Sequence, residues 1–269
     1  MAAAQVAGDS VRPPVIRGIE LNRQEIFDSA EANHWVERLV NGLHFRTRAQ
    51  VIQRELLFRV GEPYDSVLVA ESARNLRAMG IFRDVRIDSV PADSGGVGMR
   101  VTTRDGWTTR VGGRLRTVGN EVAIGFSFLE DNFLGTASRA GVSFSSDPVR
   151  TTFALEASQP RFLGSNVGIG ARWEDRSDGT VLRGRVIRPF YSVTDARGFS
   201  IIADYRDETV YQYLDGIDEP VDTLDHVMGA IRTTAAWAVH REKRRYTRVG
   251  ALAQVARDNY QPAADSGPI

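Results

Sequence analysis

Few side chains in the sequence have the types and spacing that catalysis or metal binding requires. Glu130 and Asp131 are adjacent carboxylates, but neighbours on a strand point to opposite faces, so they do not form a shared acid–base site. There is no cysteine, and there is no nucleophile-elbow, phosphate-loop or zinc-protease motif. The four histidines lack the spacing of metal ligands within one element: His34, His44, His226 and His240. We therefore predict no enzymatic activity, no cofactor and no metal.

A turn motif occurs twice in the middle of the chain. Residues 130–135 (EDNFLG) and 159–164 (QPRFLG) share a Phe-Leu-Gly ending, and residues 189–192 (PFYS) follow at nearly the same step. Phe133, Phe162 and Phe190 are 29 and 28 residues apart. That step fits two membrane-spanning strands of about 9–11 residues each with their turns. The motif-turn residues are Asn132, Phe133, Leu134, Gly135, Arg161, Phe162, Leu163 and Gly164.

The aromatic residues of these turns, together with Tyr191, fall at one set of turns. Such a cluster is typical of the aromatic girdle at a membrane interface, and ordinary packing within the turns is the alternative.

The composition limits the class of protein without identifying its partners. The chain has 269 residues, 42% of them hydrophobic, and 34 basic side chains balance 34 acidic ones. This balance provides no basic field for nucleic acid. No run of 18 or more apolar residues predicts a transmembrane helix. We expect residues 1–14 to be a disordered tail, although residues 2–5 (AAAQ) also resemble the end of a signal peptide.

Residues 15–105 have the pattern of a small α+β domain. The predicted order is strand, helix, helix, strand, strand. Thr47 is the expected N-cap of the first helix, the second helix begins near Asp65, and Gly80 is its expected left-handed cap. A further segment, residues 27–46, shows helical spacing before the first of these helices. The three strands are predicted at residues 15–21, 82–90 and 97–104.

Residues 106–269 have the pattern of successive amphipathic strands. Apolar residues alternate with small or polar ones, as in residues 122–128, and the strands predicted at residues 198–211, 222–239 and 246–260 are unusually long. Alternation alone does not separate a membrane barrel from a sandwich, which also has an apolar face. About nine strands follow Thr108, whereas bacterial single-chain barrels have even numbers, so we expect the first part of a longer barrel.

Two arginines mark the polar side of this predicted barrel. Arg183 and Arg185 share the face of their strand opposite Leu182 and Val186. In a barrel they would face the lumen, and in a soluble sheet they would lie on an ordinary solvated face.

The motifs resemble a known family. Residues 61–64 (GEPY) and 75–85 (NLRAMGIFRDV) resemble a POTRA domain, a periplasmic module of outer-membrane assembly proteins. Together with the strands joined by residues 131–135, they resemble the BamA/TamA family of outer-membrane β-barrel assembly factors. The resemblance implies an α+β POTRA-like domain (β-α-α-β-β) in the periplasm, followed by an antiparallel transmembrane β-barrel that is incomplete in this chain.

The resemblance also implies a function and partners. The expected function is the assembly and insertion of outer-membrane proteins, with an edge strand around Val85, Arg86 and Ile87 that captures extended clients by strand addition. That edge could equally be solvated or packed. The expected partners are unfolded outer-membrane clients, the bilayer, and periplasmic or lipoprotein partners, but no nucleic acid. The alternatives are a pore or polypeptide secretion channel and a soluble periplasmic β-sheet binding protein.

Overall fold

A computed structural model of the chain describes residues 13–26, 45–92, 95–118, 121–192, 194–214, 220–241 and 245–262. The predicted tail up to residue 12, the helical pattern of residues 27–44 and the loop from residue 263 lie outside the described residues, as do His34 and His44. None of the helices in the described ranges is both long and apolar enough to cross a bilayer.

Contacts divide the chain into two units, which we describe separately. The amino-terminal unit comprises Met1–His44 and Arg48–Gly106, and the sheet unit comprises Phe45–Thr47 and Trp107–Ile269. The assignment of residues 15–105 and 106–269 to a periplasmic domain and a membrane barrel stays a prediction.

The amino-terminal unit has the predicted order of elements. They are β1 (Ile16–Gln24), α1 (Ala49–Glu55), α2 (Ser66–Ala78), β2 (Phe82–Pro91) and β3 (Val97–Asp105). The sheet order is β1-β3-β2, with β1 parallel and β2 antiparallel to the central β3. Apolar side chains of the helices and strands form its core: Ile16, Ile52, Phe58, Val69, Leu76, Val85, Met99 and Val101.

The ends of the two helices test the capping predictions. Thr47 as N-cap of α1 is wrong, because Arg48 occupies that position without a side-chain cap. The predicted start of α2 near Asp65 is confirmed, and Asp65 is its N-cap, since its carboxylate accepts a hydrogen bond from the Val67 N–H at 2.9 Å. Gly80 follows α2 with a φ of +70°, the left-handed conformation expected of a glycine cap.

The sheet unit contains the nine predicted strands in one antiparallel meander, β4 to β12 in chain order. The sheet is open, since β4 and β12 each pair on one side only within the described residues. The strands are β4 (Thr109–Val118), β5 (Glu121–Phe133), β6 (Ser138–Ser146), β7 (Thr151–Gln159), β8 (Gly168–Arg176), β9 (Gly179–Arg188), β10 (Arg197–Gln212), β11 (Asp222–Arg241) and β12 (Tyr246–Pro262).

The register of the strands separates an apolar face from a polar face. On the apolar face, six strands place large side chains directly opposite one another, in the row Phe128, Val142, Leu155, Trp173, Leu182 and Tyr205. Five of these six are 39–49% exposed. A sandwich would bury such a row against a second sheet. Within the described residues of the sheet unit, no second sheet covers this row, as a lipid-facing sheet requires.

The turn between β8 and β9 packs tightly against β10. The Thr209 N–H donates to the Asp178 carbonyl at 2.7 Å, and Gly179 has a φ of +150°. A Cβ atom at position 179 would lie 1.9 Å from the Asp207 carbonyl oxygen. This approach of three strands is thus possible only with glycine.

We predict that Gly179→Ala lowers the free energy of unfolding by on the order of 3 kcal/mol, because the β10 backbone must move to admit the methyl group. Gly184→Ala is the matched control, since a Cβ there meets nothing within 4 Å. Urea unfolding of the full-length protein in detergent micelles measures both variants. Equal unfolding midpoints for the two variants would contradict the tight approach at Gly179.

Candidate functional site

The predicted client-binding residues lie in the edge strand β2. Val85 belongs to the core and is 1% exposed, and Ile87 packs against the core. Arg86 points to the opposite, exposed face, where its Nε lies 2.9 Å from Asp84 Oδ2. An added strand would meet the backbone of β2, since two of these three side chains turn inward. The client-binding role of the three residues stays a prediction.

The two Phe-Leu-Gly turns share one backbone conformation. Leu134 and Leu163 have φ angles of 55° and 51°, and the glycines that follow them have 70° and 76°. Left-handed leucines are rare, because their Cβ crowds the backbone. The repeat seen in the sequence is therefore also a repeat of an uncommon turn.

A hydroxyl side chain completes each turn, and sequence reasoning missed it. Thr136 Oγ1 and Ser165 Oγ each donate to the carbonyl of the motif phenylalanine at 2.7 Å. The signal was present in the sequence, because a Thr or Ser follows the glycine in both copies. The apolar tips of the turns are exposed, and Leu163 is the extreme case at 88%.

The residue before each motif phenylalanine is polar and buried. Asn132 is 1% exposed, and its Nδ2 donates to Thr47 Oγ1 at 2.9 Å and to the Phe45 carbonyl at 3.2 Å. Its Oδ1 accepts from the Ala137 N–H at 2.9 Å. Asn132 thus ties residues 45–47, part of the sheet unit, to the first motif turn, and this bond uses the hydroxyl that had been expected to cap α1.

Arg161 is the counterpart of Asn132 in the second motif turn. Its guanidinium donates to Asn166 Oδ1 and stacks 3.5 Å from the centre of the Tyr191 ring. The Tyr191 hydroxyl donates in turn to the Pro160 carbonyl at 3.1 Å. These contacts connect the second turn to the turn between β9 and β10.

The carboxylates Glu130 and Asp131 serve separate partners, as expected of a strand-end role. Glu130 accepts from the Thr108 and Thr109 hydroxyls at 2.5 Å each. Asp131 forms ion pairs of 2.6 Å with Arg110 and with Arg139. The two carboxylates together anchor the start of β4 to the first motif turn.

The third aromatic turn differs from the other two. A Cβ built on Gly198 would lie 2.8 Å from the ring of Phe190, so this ring covers the polar face of β10. The guanidinium of Arg248 lies 3.8 Å from the centre of the same ring. Phe190 is therefore turned away from the apolar face, and its place in a girdle of exposed aromatic residues was predicted incorrectly.

A network of ion pairs crosses the polar face, and the two predicted lumen arginines take different positions in it. Arg183 Nε lies 3.2 Å from Asp204 Oδ1. Arg185 instead extends over Gly170, where a Cβ would lie 2.7 Å from Arg185 Nε. Both arginines lie on the polar face, as predicted, whereas their exposure to a lumen stays a prediction.

Glu174 and Glu208 are the centres of this network. Glu174 accepts from Arg172 at 2.8 Å and from Arg176 at 2.6 Å, and Arg176 also lies 2.5 Å from Glu208. Both glutamates have side-chain exposures of 10% or less. Burying a carboxylate is costly unless a cation pairs with it, and the arginines supply that pairing here.

His226 extends the polar network to β12. Its Nε2 lies 3.0 Å from Asp258 Oδ1, and its ring stacks on Tyr260 with a centroid distance of 4.2 Å. Glu208, Asp258 and Tyr260 fall on the same face as His226 once the register is known. The sequence interpretation of a scattered histidine missed this cluster, because strand register was needed to assemble it.

Comparisons with known proteins agree with this architecture. No protein-family model matches the chain. A protein from Neorickettsia risticii (strain Illinois) with the name outer membrane protein assembly factor BamA is 28% identical over 130 residues, which are 47% of this chain and 17% of that protein. BamA from Neisseria meningitidis serogroup B (strain ATCC BAA-335 / MC58) is 28% identical over 140 residues, 49% of this chain and 17% of that protein.

A solved structure shares the fold. The crystal structure of BamA from Haemophilus ducreyi lacking POTRA domains 1–3 matches with a TM-score of 0.52, 14% identity, and coverage of 95% of this chain and 50% of that one. The resemblance to the BamA family is thus confirmed. The chain spans 17% of the length of the curated relatives that it matches.

We predict that Asn132→Ala lowers the free energy of unfolding by about 2–3 kcal/mol, because it leaves the buried Ala137 N–H without an acceptor and removes the bonds to residues 45–47. The control is Asn259→Ala, at an exposed position of β12, for which we expect a change within about 0.5 kcal/mol. Denaturant unfolding monitored by tryptophan fluorescence measures both. Similar small changes in the two variants would contradict the anchoring role of Asn132.

Proposed function

We propose that this chain is part of an outer-membrane β-barrel protein that assembles and inserts other outer-membrane proteins. The observation that carries the proposal is the nine-stranded open meander, which has an exposed apolar face and an ion-paired polar face. Its fold resembles that of a BamA structure. The likeness to BamA proteins supports an outer-membrane protein of the assembly or secretion type. The amino-terminal unit would then lie in the periplasm.

The sheet unit would assist insertion through its backbone. A hydrocarbon core penalises every unpaired N–H and carbonyl group, so a client strand enters most easily when it is already hydrogen-bonded. The energy for insertion would come from the folding of the client, and neither a nucleotide nor a cofactor would be required. The long strands support this proposal, because β10, β11 and β12 have 16, 20 and 17 residues and can cross a bilayer at a tilt.

The amino-terminal unit would receive the client before insertion. Its edge strand β2 offers backbone groups on one side, and pairing with them is tolerant of client sequence. The backbone around Val85, Arg86 and Ile87 would form the first hydrogen bonds to an extended segment of an unfolded outer-membrane protein. Further periplasmic or lipoprotein partners belong to this proposal as surfaces that position the unit.

Two alternative functions make different physical demands. A pore or polypeptide secretion channel needs a continuous aqueous path, for which the charged polar face is suited but not sufficient. A soluble binding protein needs the apolar face to be buried, and the exposed row from Phe128 to Tyr205 disfavours it.

Reconstitution of the full-length protein into liposomes tests the proposal. We expect an unfolded outer-membrane barrel client to fold several-fold faster into these liposomes than into protein-free ones, without a steady ionic conductance. Conductance without faster folding would replace the assembly proposal with the channel, and recovery of the protein in the aqueous phase without detergent would replace it with the soluble binding protein.

A further inference from the structure

The two outer strands of the three-stranded sheet differ in what borders their free edges. At the start of β1, the Ile16 N–H donates to the Glu62 carbonyl at 2.9 Å, and the Gly61 N–H donates to the Ile16 carbonyl at 2.8 Å. Val15 also forms a bridge with Pro63. In the described part of the chain, β2 has no such backbone partner on its outer side. A further strand can therefore join the sheet along β2.

One side chain is bound to this free edge. Arg77, in the last turn of α2, donates from Nη2 to the Val85 carbonyl oxygen at 2.6 Å. A hydrogen bond from a guanidinium is stronger than one from a neutral donor. The helix thus reaches the edge of the sheet and binds an acceptor that an added strand would need.

The alternation of the backbone defines the groups available to a client. In an antiparallel ladder, alternate residues turn both backbone groups to the same side. Since the Val85 carbonyl faces the free edge, the backbone groups of Ile87 and Ser89 face it as well. Pro91, the last residue of β2, has no N–H and limits the edge at the other end. The stretch of β2 that can pair with a client strand is therefore short. Arg77 occupies its first acceptor, the Val85 carbonyl oxygen.

We propose that Arg77 controls strand addition at β2 by competing with the client for the Val85 carbonyl. This inference rests on the proposed function, because it assumes that extended clients add to β2. A client strand that pairs along the whole edge displaces the guanidinium, which then returns to solvent. Arg77 therefore weakens the capture of short or poorly matched segments and selects clients that pair over the full length of the edge.

Cross-linking at the edge tests the competition in the full-length protein. A benzophenone amino acid replaces the exposed Asp88, and the probe is a synthetic peptide of alternating threonine and valine with a lysine at each end. Four variants are compared in this background. Arg77→Met retains the aliphatic stem but loses the donors, and Arg74→Met removes an exposed charge one turn earlier on α2. Ser89→Pro removes an N–H from the free edge and is made alone and together with Arg77→Met. Circular dichroism verifies that each variant is folded.

We expect Arg77→Met to bind the peptide about tenfold more tightly than the parent, which corresponds to about 1.4 kcal/mol. Arg74→Met should match the parent, and Ser89→Pro should lose most of the cross-linking. If Ser89→Pro abolishes cross-linking while Arg77→Met binds no better than the parent, Arg77 is a structural residue and the inference is wrong. If no cross-linking is sensitive to Ser89→Pro, in the parent or with Arg77→Met, strand capture at β2 is itself wrong.

Discussion

The alternation of side chains along nine hydrogen-bonded strands is the constraint on which the rest of this structure depends. Because successive residues point to opposite faces, one register places a row of large apolar side chains on one face and the glutamate–arginine network on the other. A shift of a single residue between two strands would place a charge among the apolar side chains. One face stays apolar and the other polar only if every hairpin keeps its register.

The motif turns provide that control of register at one end of the sheet. In each copy, Leu and Gly both adopt the left-handed conformation, and the hydroxyl of the Thr or Ser that follows donates to the carbonyl of the motif phenylalanine. Each copy also contains a buried polar residue that contacts a segment outside its own turn. Asn132 reaches residues 45–47, and Arg161 reaches the next turn through Tyr191. The cost of two left-handed leucines is acceptable because these bonds stabilise the conformation. At the other end, Gly179 permits a similarly close contact with β10.

Much of this architecture follows from local sequence patterns, and the exceptions are tertiary. The two-residue period of β10, β11 and β12 located these strands within about two residues. Thr47 has the side chain of an N-cap, but Asn132, 85 residues away in sequence, binds its hydroxyl. Phe190 continues the aromatic spacing, yet its turn lacks the Leu-Gly pair and its ring covers Gly198. The bond between Arg77 and Val85 and the cluster around His226 depend on sheet order and register, which single-sequence patterns do not contain.

The central claim is that the apolar face contacts lipid while the polar face does not. Since the chain has no cysteine, single cysteines at consecutive positions of β7, from Phe153 to Ala157, can each carry a nitroxide label in the full-length protein in bilayers. Accessibility to oxygen and to a water-soluble nickel reagent is then measured by electron paramagnetic resonance. We expect labels at 153, 155 and 157 to favour oxygen and those at 154 and 156 not to. Accessibility without a two-residue period would contradict the account.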